Sequence, residues 1–329
     1  MQHRMLGVLV LGLALLGFSN TEADAQPRTL NDIPIRDPFI YADARTHTYY
    51  LYQAADTTIN GTVCGGVRAW HSKNLKSWYG PQRVCTIPAD NPLHGHVWAP
   101  EMHAYKGKYY LFLTLNSDLI WKKQRKDWPA YTYRAVQVLR ADSPEGPFVP
   151  ITKQTTTPLS QMALDGTLYV EDGQPYLIYC NEWVQRVDGT FRLARLKPDL
   201  STIVGDGEDL FCASAASWST GTLGSNGERS YVSDGCFLWH TPKKLLMIYS
   251  SFADGRYAVG VAESVTGRVA GPWKQQEKPL YADNGGHGMI FRDFDGNLWL
   301  VLHSPNSPGG QERARLLPLK LTTEGNLTL

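Results

Sequence analysis

The chain is poor in sulfur, nearly neutral, and without a long apolar run after its first residues. Its five cysteines (Cys64, Cys85, Cys180, Cys212, Cys236) are too few, and odd in number, for a disulfide scaffold in 329 residues. None sits in a Cys-x-x-Cys or Cys/His spacing of the kind that holds zinc. Cys64 and Cys85 can pair in an oxidising compartment, whereas Cys180 and Cys236 fall in strand-like runs and read as small buried apolar residues. Basic and acidic residues nearly cancel, 32 against 31, which argues against a polyanion partner such as nucleic acid. After residue 25 no segment reaches the roughly 18 consecutive apolar residues of a membrane span. Convincing helical periods are also almost absent, and no linker, charge block or low-complexity tract divides the chain.

The first residues have a different character. His3 and Arg4 precede an apolar run from Met5 to Phe18, followed by Ala23-Asp24-Ala25. This is the pattern of a cleavable secretory signal. It predicts residues 1–25 as a leader, residues 26–329 as one folded domain, and a secreted or periplasmic destination. The 17 Tyr and 10 Trp suit β-rich packing and stacking against sugar faces.

One pattern recurs five times, beginning Asp37-Pro38-Phe39, Ala99-Pro100-Glu101, Asp165-Gly166-Thr167, Asp234-Gly235-Cys236 and His287-Gly288-Met289. Each start leads through a polar turn into an aromatic or aliphatic run, such as Tyr49-Tyr50-Leu51-Tyr52 or Tyr176-Leu177-Ile178-Tyr179. Further strand-like material follows each hairpin. Repeated units of this kind predict an all-β fold, a five-bladed β-propeller with four-stranded blades; a two-sheet sandwich would not give so regular a register. The first strand of each blade then lines a central channel, and the second returns its last residues to the same mouth. Asp37, Ala99, Asp165, Asp234 and His287 are expected at equivalent positions around that mouth. Asn116, Asn181, Glu182, Trp183, Ser250, Ser251, His303 and Ser304 are expected nearby.

Three carboxylates converging on one channel call for a chemical reason, since unpaired buried charge is expensive. Asp-Gly pairs are ordinary turn elements, but turn residues have no cause to align across blades. Paired carboxylates across a cleft are the apparatus of glycoside hydrolysis, and residues on opposite sides of a channel suit the wider spacing of an inverting enzyme. A third carboxylate beside the acid would raise its pKa.

The segments Ile35-Arg36-Asp37-Pro38-Phe39-Ile40, Trp98-Ala99-Pro100-Glu101-Met102-His103 and Leu164-Asp165-Gly166, in this order and with the turns that follow them, resemble glycoside hydrolase family 43 over about residues 30–320. That resemblance implies a five-bladed propeller acting on oligo- or polysaccharides of plants. It points to exo-action on terminal α-L-arabinofuranosyl, β-xylosyl or galactofuranosyl units. It implies Asp37 as general base and Asp165 as the residue that tunes and orients the acid. The family usually has Glu at the start of the fourth blade, where this chain has Asp234, so the proton donor is Asp234 or Glu182. Loss of catalysis, leaving a glycan-binding propeller, is the alternative. The retaining fructan-hydrolase propellers also carry Arg-Asp-Pro, but their Asn-Asp-Pro-Asn and Glu-Cys motifs are missing here. His287 matches a family histidine near the channel centre. It implies a contact to substrate or, through water, to a structural calcium ion; no cofactor is required. Arg36, Trp98, Trp183 and Trp121 are candidates for sugar contacts, Trp70, Trp78 and Trp273 for packing. The run Trp121-Lys122-Lys123-Gln124-Arg125-Lys126-Asp127-Trp128 reads as an inserted loop of blade two. The oligomeric state has no signature.

Overall fold

Apolar runs bounded by turn residues become strands, and five antiparallel four-stranded sheets follow one another along the chain. The computed structural model describes residues 26–224 and 226–329; the expected leader, residues 1–25, lies outside the described residues. Blade 1 is Phe39–Asp43, Thr48–Ala54, Gly66–Ser72 and Tyr79–Thr86; blade 2 is Val97–Tyr105, Lys108–Ile120, Thr132–Ala141 and Val149–Pro150. Blade 3 is Ala163–Glu171, Gln174–Asn181, Thr190–Leu196 and Ile203–Cys212. Blade 4 is Asp234–His240, Leu245–Ala253, Arg256–Ser264 and Trp273–Gln275, and blade 5 is Gly286–Arg292, Leu298–Ser304, Arg313–Leu321 and Leu327–Thr328. The fold is a five-bladed β-propeller.

The second strand of each blade is apolar without alternation because neighbouring blades cover both of its faces. Leu51, Tyr52, Leu111, Phe112, Leu177, Ile178, Leu245, Leu246, Leu300 and Val301 are all fully buried. The core is therefore a set of layers between blades rather than one central mass. Trp70 and Trp78 are buried in this packing, as expected. Ring closure needs no shared strand: Pro34 bridges to Arg313, Ile35 N donates to Glu312 O, and Phe294 N donates to the Tyr49 hydroxyl. The N-terminal segment thus ties blade 1 to blade 5.

A bond between Cys64 and Cys85, which the sequence left open, is not formed. Both thiols are free and buried; Cys64 Sγ donates to Thr62 O, and Cys85 lies inside an outer strand opposite Val67. Cys180 and Cys236 are buried as expected.

Candidate active site

At the mouth, the inner strands of four blades break register at the same point, between Trp98 and Glu101, Leu164 and Thr167, Asp234 and Phe237, and Gly286 and Met289. The first residue inside each break is left-handed: Ala99 (φ 42), Asp165 (φ 54), Gly235 (φ 55) and His287 (φ 48), with Asp37 (φ 50) in the same conformation in blade 1. Four non-glycine residues in this sparsely populated region, in one ring, mark a site where tertiary structure imposes local strain.

This ring corrects the expected alignment. Blade 4 contributes Gly235, not Asp234, to the position shared by Asp37, Ala99, Asp165 and His287. A Cβ at Gly235 would stand 2.9 Å from the Cα of His287, so no carboxylate fits there. Asp234 instead joins a second tier, one residue nearer the mouth, with Arg36, Trp98, Leu164 and Gly286. Asp165-Gly166 and Asp234-Gly235 look alike in sequence but sit at different offsets. The carboxylates nevertheless converge: Asp37, Asp165, Asp234 and His287 line one cavity of about 230 Å³ together with Arg36, Trp98, Leu164, Glu182, Trp183 and Tyr257.

Hydrogen bonds and charge distribute the protons. Burial pushes Asp37 upward, but the charge of His287, the hydrogen bond and charge of His303, and the Arg36 guanidinium outweigh it, so its pKa falls well below the carboxylate range. His287 Nδ1 and His303 Nδ1 each stand 3.3 Å from Asp37 Oδ1, and Arg36 Nε stands at 3.7 Å. Asp165 and Asp234 move the other way. Burial first and the Asp37 charge second hold Asp165 up at about 8. Burial first and the Asp165 charge second hold Asp234 up at about 7. Two buried carboxyls that repel one another share a proton around neutrality. Although Asp165 is raised further than Asp234, it is the better hydrogen-bonded carboxylate, since Gly235 N donates to its Oδ2 (3.0 Å) and Thr114 Oγ1 to its Oδ1 (3.5 Å). In the one-proton state of the pair these bonds place the charge on Asp165. Asp234 accepts only the Tyr257 hydroxyl, at Oδ2 (2.9 Å), among the described residues. Its other oxygen is free to carry the proton.

Glu182 reaches the cavity but is ion-paired with Arg134, a buried guanidinium that also donates to Asn116 Oδ1 (2.5 Å) and lies over the Trp98 ring at 4.2 Å. Arg134 was not among the expected site residues. Its signal was an arginine inside the strand Thr132–Ala141, beside the fully buried Ala135 and Val136. Tyr257 was also missed, because one tyrosine in an apolar strand looks like packing. His303, expected only near the mouth, is fully buried, and Tyr257 stacks on it at 5.7 Å. Ser250 holds the backbone of His287 (N to Oγ, 2.7 Å). Trp98 and Trp183 line the cavity as expected. Trp121 does not; it packs on Tyr131 and Tyr133.

Arg36 is anchored to Glu312 Oε1 (3.2 Å) and Asn306 Oδ1 (2.7 Å). With Asp37 and Trp98 it also lines an adjoining cavity of about 260 Å³. The site does not fit a directly bound calcium ion, which takes roughly six to eight oxygen ligands. His287 offers nitrogen, its Nδ1 facing Asp37 and, at 3.6 Å, Asp165 Oδ2. Among the described residues no group of three or more His, Cys, Asp or Glu side chains is arranged to hold a metal. No described helix is long and apolar enough to cross a membrane.

The sequence profile of glycosyl hydrolases family 43 matches residues 32–325. The structure is similar to that of an endo-arabinase from Bacteroides thetaiotaomicron VPI-5482, with a TM-score of 0.80 and 34% identity, covering 92% of this chain and 100% of that one. An α-L-arabinofuranosidase from Lactobacillus brevis has the same fold, with a TM-score of 0.71 at 18% identity, covering 92% and 95%. A protein of Escherichia coli K12 described as "Putative beta-xylosidase" is 24% identical over 270 residues, 74% of this chain. The chain spans only 44% of the length of that relative.

Proposed function

We propose, from the premise that this chain belongs to glycosyl hydrolases family 43 and is a glycosidase, that it removes terminal α-L-arabinofuranosyl units from plant-type glycans with inversion, outside the cytoplasm. Asp37 is the general base, Asp234 the general acid, and Asp165 the residue that keeps the acid protonated. The observation that carries this reading is the pair of opposite pKa shifts in one small cavity, Asp37 downward and Asp234 upward. Environments that drive two carboxyls apart assign the base and the acid.

Asp37 takes a proton from a water as it attacks the anomeric carbon. Asp234 gives its proton to the departing glycosidic oxygen. The adjoining cavity borders Asp37 but not Asp234, and it offers the hydrolytic water an approach on the base's side. A cavity of about 230 Å³ is below the roughly 300–1,000 Å³ that drug-sized ligands fill, which suits a terminal unit. The 34% identical solved structure is of an endo-arabinase, which supports arabinose as the sugar; terminal rather than internal action rests on the small cavity.

The test is hydrolysis of nitrophenyl α-L-arabinofuranoside, β-D-xyloside and β-D-galactofuranoside, with proton NMR of the first product anomer. Preferred arabinoside turnover with an inverted product is expected. A retained anomer would remove inversion. Binding of arabino-oligosaccharides without turnover of any substrate would make the protein a glycan-binding propeller.

The pH profile follows from the same shifts. Activity needs Asp37 ionised and Asp234 protonated, so kcat/KM holds into the acid range and falls as pH rises through about 7. Asp165→Asn removes the carboxyl with which Asp234 shares one proton, so ionising Asp234 no longer leaves two like charges together and this alkaline limb moves to lower pH. An unmoved limb would show that Asp165 does not tune the acid. Stability has the same sign. Groups with raised folded-state pKa destabilise the fold as pH rises through those values, so Asp165→Asn should raise the Tm at pH 8–9 (~pH 8 being the Asp165 value) more than at pH 5 (about the upper end of the carboxylate range).

A further inference from the structure

Beside the cavity, next to Glu182, three loops from distant parts of the chain are tied together. Residues 121–131 form the insert of blade 2, closed on itself by Trp121 N to Tyr131 O (2.9 Å) and by Gln124, which donates to Trp121 O (2.7 Å) and accepts from Tyr131 N (2.8 Å). From this loop Trp128 crosses to blade 3. Its indole Nε1 donates to Val184 O (2.6 Å), and its ring meets Trp183 edge to face, with centroids 5.7 Å apart and planes at 75°. Arg125 covers the Trp128 ring at 4.5 Å and pairs with Glu228, in the hairpin of Thr222–Leu223 and Arg229–Ser230 that precedes blade 4. Lys122, Lys123 and Lys126 remain exposed, so the basic run offers the tie only its arginine.

Trp183 lines the cavity and Trp128 does not. Trp183 opens a helix of a single turn, Trp183–Arg186. One helical turn has almost no stability of its own, so the direction of the Trp183 ring has to come from tertiary contacts. Trp128 supplies that contact, and its hydrogen bond to the Val184 carbonyl fixes its indole against the same helical turn. We propose that Trp128 is a positioning residue, holding the Trp183 indole as the platform against which a sugar of the substrate lies. This inference rests on the reading of the cavity as the glycosidase site.

The test compares Trp128→Ala, Trp128→Phe, Trp183→Ala and the Trp128→Ala/Trp183→Ala double variant in the full chain. The readouts are kcat, KM and Tm with an arabino-oligosaccharide, and calorimetric Kd with the same oligosaccharide on an Asp37→Asn background, where binding is read without turnover. Trp128→Ala should raise KM and Kd about tenfold, the scale of one aromatic contact, with kcat at saturation within about twofold. Trp128→Phe keeps a ring but loses the bond to Val184, and should fall between; it also carries the test if the alanine variant fails to fold. The double variant should bind no worse than Trp183→Ala. Unchanged KM and Kd in Trp128→Ala beside raised values in Trp183→Ala would overturn the inference and leave the site reading intact. So would a lower Tm with unchanged KM, or additive effects in the double variant. Unchanged Kd in Trp183→Ala would remove the sugar platform and the inference with it. Tenfold weaker binding by Trp128→Ala, alongside a wild-type protein that hydrolyses nothing, would uphold the inference and sink the catalytic reading instead.

Discussion

Asp37→Asn is expected to lower kcat by roughly 10²–10⁴-fold, the usual contribution of a positioned general base, while affinity for the glycan is retained. The substitution is nearly isosteric. Asn also tolerates the left-handed conformation that Asp37 adopts (φ 50), so the backbone break at the mouth survives. What is lost is the charge that His287, His303 and Arg36 hold in place. Steady-state rates and calorimetric binding on the same preparation check this. Near wild-type turnover would mean that the hydrolytic water is activated elsewhere.

The second large effect separates the two candidate acids. Asp234→Asn should lower turnover of sugar-leaving substrates by roughly 10²–10⁴-fold, and lower nitrophenyl glycoside turnover much less, because nitrophenolate departs without a proton. Glu182→Gln should behave differently. It leaves the buried Arg134 without its counter-charge, a loss that costs about 3–5 kcal/mol of stability in comparable pairs, and its rate effect should not depend on the leaving group. A leaving-group dependence in Glu182→Gln, and none in Asp234→Asn, would transfer the acid role to Glu182.

The strands were legible from local pattern. Second-strand runs such as Tyr109-Tyr110-Leu111-Phe112 are apolar throughout because blades stack on both faces, and the fourth strands of blades 2 and 4 begin just after Gly146-Pro147 and Gly271-Pro272. The site was legible in its members and misread in one offset. Asp234-Gly235 imitates Asp165-Gly166, yet the break in blade 4 takes the glycine as its left-handed residue, since His287 of blade 5 occupies the space a side chain would need. Nothing within blade 4 reports that neighbour. The contacts of Arg134 with Glu182 and Trp98, and of Tyr257 with Asp234 and His303, are likewise made between residues far apart in sequence.

By itself the order of residues determined the number of blades, the path of each hairpin and the convergence of Asp37, Asp165 and His287, because these depend on hydrophobic period and turn chemistry within single blades. Only the tertiary structure decided which carboxyl is charged, why Asp234 stands one tier above the others, and which tryptophans face the cavity. Those properties arise from burial and from groups on adjacent blades, and both exist only once the ring has closed.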